Sequence, residues 1–167
     1  RDTETALQTL TELSTDSVTG AEARLFLAEA YRQLGRPQEA LEAFERAAGQ
    51  APIDKALWLA MADAAQKAKR PDKAQEAYEQ ALKLDPKDAT VAYNLGSIAY
   101  GEKRYEDAQR YYEKALGLDK AGDAHYGLAV LSEQRKDYAK ALAQYQDYLK
   151  QAPKGLYRKE ASARVAL

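Results

Sequence analysis

The sequence predicts an all-α solenoid of stacked helix–turn–helix units. Three observations carry this. Apolar residues recur every 34 positions, they fall at helical intervals within each period, and turn-forming residues punctuate them. The columns are Ala40, Ala74 and Ala108; Ala47, Ala81 and Ala115; Phe44, Tyr78 and Tyr112; and Ala28, Ala62 and Gly96. Pro52 and Pro86 form another. One residue is missing near Gly122, after which the columns resume at Ala129, Ala141, Tyr145 and Pro153. A repeat of this length is one supersecondary unit that buries its apolar face only by stacking on a neighbour.

Residues 1–20 read as the second helix of a truncated unit, with Ala6, Leu10 and Leu13 lying 34 positions before Ala40, Phe44 and Ala47. The first full unit spans 21–54. Leu27, Ala28 and Tyr31 form one stripe, Gly35 ends the helix, and Pro37 opens the next at a favoured first-turn position. Ala40, Leu41, Phe44, Ala47 and Ala48 follow, and Pro52 breaks the chain. The second unit, 55–88, has Trp58, Met61, Ala62 and Ala65, then Pro71, Ala74, Tyr78, Ala81 and Leu82. The third, 89–121, has Leu95, Gly96 and Ala99, then Tyr105, Ala108, Tyr112, Ala115 and Leu116. The fourth, 122–155, has Leu128 and Ala129, then Tyr138, Ala141, Tyr145, Tyr148 and Leu149. Residues 156–167, with Ala161, Ala163, Val165 and Leu167, read as a terminal capping helix or the first helix of a truncated unit. About ten helices are expected, as four pairs plus one at each end.

Composition narrows the function. The net charge is −1, without the basic excess of a nucleic-acid binder, so no nucleic-acid partner is expected. Charge is uneven: residues 1–54 carry −5 and residues 122–167 carry +3, which reads first as variation on a solvated surface. There is no Cys, which removes disulfides and thiolate chemistry. No apolar run approaches membrane-spanning length, so no direct membrane insertion is expected. The chain starts at Arg1 in mid-unit and reads as a fragment whose parent's targeting is not visible.

Catalytic chemistry is not evident. His125 is the single histidine and reads as a packing or surface residue. Glu106 and Asp107 are adjacent and diverge around a helix. Gly117, Gly122 and Gly127 lack phosphate-loop spacing. No metal, no cofactor and no enzymatic activity are expected.

The columns resemble the tetratricopeptide repeat, or TPR, family. Its pattern places Trp-x-x-Leu-Gly-x-x-Tyr before Ala-x-x-x-Phe. Trp58 stands at the Trp place, Leu95-Gly96 match Leu-Gly, and Tyr31 matches Tyr. The Ala-x-x-x-aromatic step occurs four times, as Ala40/Phe44, Ala74/Tyr78, Ala108/Tyr112 and Ala141/Tyr145. Residues 113–120, EKALGLDK, resemble the family's unit ending, with Lys120 in place of Pro. Tyr148 replaces a usual Ala, which implies looser packing of the last full unit.

The resemblance implies a right-handed superhelix whose first helices line a concave groove. The groove residues would be Leu25, Phe26 and Glu29, then Leu59 and Asp63, then Tyr93, Asn94, Ser97 and Tyr100, then Tyr126 and Val130. Tyr93, Ser97 and Tyr100 share one helix face. The cations that hold acidic chaperone tails in one family subset are missing at the matching places. Glu22, Glu29 and Asp63 favour an apolar or basic segment instead. The expected function is a protein-interaction scaffold that binds a partner peptide or helix in the groove, within a larger bacterial assembly of cytoplasm or periplasm. The alternatives are a spacer or self-assembly element, with weak self-association through partly exposed Leu7, Leu10, Leu13, Val165 and Leu167, and a polysaccharide-associated envelope scaffold whose tyrosines stack on sugars.

Overall fold

A computed structural model of the chain describes residues 2–15, 20–48, 55–119 and 122–166. Pro52, Lys120, Ala121 and Leu167 lie outside the described residues. Ten helices and no strand occur among them. The chain divides into two compact units, 1–84 and 85–167.

The first unit holds α1 (Asp2–Leu13), α2 (Gly20–Gln33), α3 (Pro37–Ala48), α4 (Lys55–Lys67) and α5 (Pro71–Leu84). Each helix packs on the next. Its core is mostly alanine: Ala28, Ala40, Ala47, Ala62, Ala65, Ala74 and Ala81 are fully buried, with Leu27, Leu41, Phe44, Met61 and Tyr78 between them. Small side chains let backbones approach, and the large ones fill what remains. Tyr78 carries a hydroxyl into this core and donates it to Gln66 Oε1 at 3.1 Å.

The second unit holds α6 (Ala89–Gly101), α7 (Tyr105–Asp119), α8 (Gly122–Gln134), α9 (Tyr138–Gln151) and α10 (Arg158–Val165). Neighbours again pack in sequence, and α6 also touches α8. Asp88 caps α6 by accepting from Val91 N at 2.9 Å.

One joint closes all four helix pairs. Gly35, Lys69, Lys103 and Lys136 sit in the left-handed region at φ 67°, 59°, 61° and 62°. After each, the next amide reaches back five residues: Arg36 to Tyr31, Arg70 to Ala65, Arg104 to Ala99, and Asp137 to Ser132. The left-handed residue bonds back three, as Gly35 does to Arg32 and Lys103 to Tyr100. This is a Schellman closure, which satisfies the last carbonyls of the first helix. The carbonyls of Arg36, Arg70, Arg104 and Asp137 then accept the first bond of the second helix. One residue thus finishes one helix and starts the next. The sequence marks this joint only at Gly35, because three of the four copies place a lysine where a Cβ is unfavourable.

Four expectations are corrected. In α1 the buried residue is Leu7 at 5% exposure, whereas Ala6 is exposed and Leu13 is 45% exposed. The expected Ala6/Leu10/Leu13 column therefore does not form a buried face: Leu10 is only half-buried and, with Ala6, lines an open hollow against α2. Tyr138 is 65% exposed rather than part of the packing stripe. Tyr148 does not loosen the last pair: it is 0% exposed, and its hydroxyl accepts from Tyr157 N at 2.8 Å. Space for it comes from Gly155, where a Cβ would collide with that hydroxyl. Leu7, expected to be partly exposed at the end of the chain, is instead buried, whereas Val165 at the other end keeps partial exposure while it packs, like Tyr157, against the cluster of Ala161, Tyr145 and Tyr148. Exposed Lys159, Ser162 and Ala163 form the other side of α10.

Candidate functional site: a tyrosine-lined cavity

The second unit contains a cavity of about 190 Å³ lined by Tyr93, Ser97, Tyr100, Tyr112, Tyr126, Gly127, Val130 and Tyr157. Tyr93, Ser97 and Tyr100 come from α6, at the i, i+4, i+7 spacing that puts them on one face. Tyr126 and Val130 share a face of α8. Tyr112 reaches in from α7, and Tyr157 stands at the entry to α10.

Tyr112 is held between two glycines. A Cβ on Gly96 or on Gly127 would come within 2.6 Å of its ring. Its ring lies 5.5 Å from that of Tyr93, tilted by 37°. Its hydroxyl approaches Ser97 Oγ at 3.4 Å, whereas Tyr78 and Tyr145 donate to Gln66 and Glu133 twelve residues earlier. The residue twelve before Tyr112 is Tyr100, so the Tyr112 hydroxyl turns one helical step further back, to Ser97.

Tyr157 ties the walls together. Its ring stacks on Tyr126 at 4.2 Å and 10°. Tyr126 in turn meets Tyr145 and Tyr148 at 5.6 and 5.5 Å with tilted rings. Tilted and offset pairs are the favoured geometries for ring quadrupoles, so this cluster fixes Tyr126 firmly. Glu133 accepts from the Tyr145 hydroxyl at 3.0 Å and pairs with Arg164 at 3.3 Å, which joins α8, α9 and α10.

The lining is uncharged. Burial pushes the phenols of Tyr93, Tyr100, Tyr112 and Tyr126 up, and for Tyr93 a hydrogen bond to Tyr157 adds to it. These groups stay protonated at neutral pH, so they serve as hydrogen-bond donors and ring faces rather than as bases.

Five of the expected groove residues, Tyr93, Ser97, Tyr100, Tyr126 and Val130, thus meet in one place. Asn94 is half-buried on α6 and outside the lining. The first-unit residues form no part of this cavity. Leu25 and Leu59 are half-buried on α2 and α4, and Phe26 is 66% exposed. Glu29 is held by Arg32 at 2.6 Å and by Gln33 at 2.9 Å. Arg32 also lies 3.8 Å from Asp63, which pairs with Lys67 at 2.8 Å. The acidic character expected of Glu29 and Asp63 is therefore compensated by two cations. The Arg32 guanidinium lowers the Glu29 carboxyl to about 2. His125 is partly buried, shares a 2.9 Å hydrogen bond with Gln151, and is pushed down by burial.

The tetratricopeptide-repeat family models match residues 59–119 and 100–155, and a second such model matches residues 21–64. The chain belongs to the tetratricopeptide repeat family. Solved TPR structures share the fold. YrrB, described as a TPR protein with an unusual peptide-binding site, aligns at TM-score 0.81 with 21% identity over 97% of this chain and 84% of its own. MamA aligns at 0.77 with 18% identity over 92% and 90%. MamA from Desulfovibrio magneticus RS-1 aligns at 0.74 with 22% identity over 89% and 84%. No curated protein matches the chain. TPR proteins are protein-interaction modules, and the repeat fold of this chain is that of a protein-interaction scaffold.

Tyr112, Gly127 and Tyr157 were missed as lining by sequence reasoning, which placed Tyr112 only in a packing column. Gly127 had a usable signal: a glycine inside a helix costs about 1 kcal/mol against alanine and asks for a packing reason. Tyr157 had none, because the corresponding positions Asp123 and Thr90 are polar.

Proposed function

We infer that this TPR chain holds a segment of a partner protein against the face formed by α6, α8 and the start of α10. The observation that carries this is the tyrosine cavity. It is concave, uncharged and built from rigid aromatic side chains, the residue types that bind partners at low entropic cost. The peptide-binding description of YrrB supports a peptide as the occupant in a fold of this kind. Leu25, Phe26 and Leu59 in the first unit offer further apolar area to the same class of partner. The test is capture of partners by the chain, repeated with Tyr93→Ala/Tyr100→Ala. Loss of a verified partner with helicity retained supports the reading. Normal binding by the double variant, with sensitivity instead at exposed α7 or α9 positions, defeats it.

A second reading, self-association, is favoured by one feature of the first unit. Thr3, Ala6, Leu7, Leu10, Ala30, Gln33 and Leu34 line an open apolar hollow of about 320 Å³ between α1 and α2. Concentration-dependent mass that disappears in Leu10→Asp would select this reading.

A further inference from the structure

We propose that the hollow between α1 and α2 seats an amphipathic helix of a partner protein, one with a large aliphatic side chain at the centre of its apolar face. The hollow lies in the first unit, so this goes beyond the reading of the tyrosine cavity. A comparison of matching positions leads to it. Ala6 and Leu10 of α1 and Ala30 of α2 line the hollow. The positions matching Ala6 are Ala40, Ala74, Ala108 and Ala141, and those matching Leu10 are Phe44, Tyr78, Tyr112 and Tyr145. All of these are buried, at 5% exposure or less. Ala64, Ile98 and Leu131, which match Ala30, are buried as well. In the hollow the same set is uncovered: Ala6 is exposed, and Leu10 and Ala30 are half-buried.

The second unit shows what covers such a set. There α6 packs on both α7 and α8. Its Ala92 and Ala99 join Ala108, Tyr112 and Leu131 in one buried cluster, and its Gly96 lies against the Tyr112 ring. The covering element is thus a helix that lays one apolar face along two others. The hollow of α1 and α2 offers the same arrangement with one difference. Leu10 and Ala30 stand where the seat of α6 has the larger Tyr112 and Leu131, and a space of about 320 Å³ is left open. Gly96 makes way for a ring. With no ring below it, the matching place on a helix in the hollow is filled by a large aliphatic side chain. The polar side chains of the lining, Thr3 and Gln33, are uncharged, so a charge on that face would be buried without a counter-charge.

The helix comes from a different protein, because a second copy of this chain has no matching helix to give. α2, α4, α6 and α8 each already pack on the helix that follows. α10 turns Ala161 inward, and its other side, with Lys159, Ser162 and Ala163, carries no large apolar residue. A partner helix short of its own cover gains most of its stability from such a seat.

The experiment is fluorescence anisotropy on the full chain with labelled peptides of residues 88–102, which hold α6 and its flanks. One peptide keeps Gly96, one carries Gly96→Leu and one Gly96→Asp. The expected result is saturable binding of the leucine peptide, about tenfold or more tighter than the glycine peptide, and no binding of the aspartate peptide. Ala6→Asp and Leu10→Asp in the chain should each weaken the leucine peptide about tenfold or more. Ala6 is exposed, so Ala6→Asp reports even where Leu10→Asp disturbs α1, and circular dichroism checks both. Leu142→Asp, at an exposed leucine of α9, leaves binding unchanged. No saturable binding, equal affinity for the leucine and glycine peptides, or binding that ignores Ala6→Asp overturns the proposal. So does sedimentation showing a dimer that Ala6→Asp dissolves, which gives the hollow to a second copy. None of these results bears on the tyrosine cavity, whose own test is made at Tyr93 and Tyr100.

Discussion

The two compact units are built on the same repeat but hold themselves together differently. In the first, alanine columns are filled in by aliphatic side chains with Phe44 and Tyr78 among them, and α1 leaves an apolar hollow against α2. In the second, tyrosines interlock around glycines, and α10 seals the end by turning Tyr157, Ala161 and Val165 inward. The difference shows what the period leaves free. The columns require small residues at the helix contacts. They do not dictate whether the remaining space is filled by aliphatic side chains or by rings that carry hydroxyls and require partners for them.

The largest effect should come from the ring lattice. Tyr148→Ala, which restores the residue usual in the family, should cost about 3–5 kcal/mol, because it empties a fully buried site. Urea unfolding measures this. Its counterpart in the first unit, Leu13→Ala, should stay within about 0.5 kcal/mol of the parent. Equal losses would show that the two units do not differ as described.

The next effect concerns the glycines. Gly96→Leu and Gly127→Leu should each cost about 1–3 kcal/mol by forcing Tyr112 aside. Gly117, with open space around its Cβ position, should behave oppositely: Gly117→Ala should gain about 0.5–1 kcal/mol. Thermal melting with all three variants sharpens the contrast between glycines that make room and one that does not.

Smaller gains should come from the joints, which the two units share. Lys69→Gly in the first unit and Lys103→Gly in the second should each stabilise by about 0.5–1 kcal/mol, since both lysines are held in the left-handed region. Gly35→Ala should lose a similar amount. A gain in one unit only would mean that the joints are not equivalent.

The smallest effect concerns one ion pair of the first unit. Glu29 is lowered from 4.5 to about 2, so its contribution is complete above pH 4.5 and fades as pH falls toward 2. The pair is well exposed, so the loss should be no more than about 0.5 kcal/mol and should shrink in salt. Acid titration of Glu29→Gln against the parent checks it. No matching step from the second unit's cavity is expected, because its phenols are pushed upward.

Much of this was legible in the sequence. Ala40, Ala74, Ala108 and Ala141 could be assigned to contacts because a small residue repeated at a fixed phase is what close helix packing demands of every copy. Tyr93, Ser97, Tyr100, Tyr126 and Val130 could be grouped because helical phase fixes which side chains share a face. The phase of α1 was not legible: the column through Ala6 assumed a covering neighbour on that edge, and the packing on α2 buries Leu7 instead. Tyr148 was misjudged because its extra volume is matched by a distant glycine, Gly155, and volume compensation leaves no periodic trace. Tyr157 escaped for a related reason, since it stands outside any column and matters only through the rings it meets.

The shared three-residue joint also bears on how the chain acquires its structure. Each pair is closed by hydrogen bonds spanning only a few residues, and helices pack chiefly on their sequence neighbours. Little loop entropy is lost before such contacts form, so folding should be fast and able to start at any pair. Within the second unit, the pair of α6 and α7 combines a capped start, a closed joint and the clasped Tyr112. Its amides should be the slowest to exchange with deuterium there, with α10 opening first, because its short length leaves it dependent on the rings it covers.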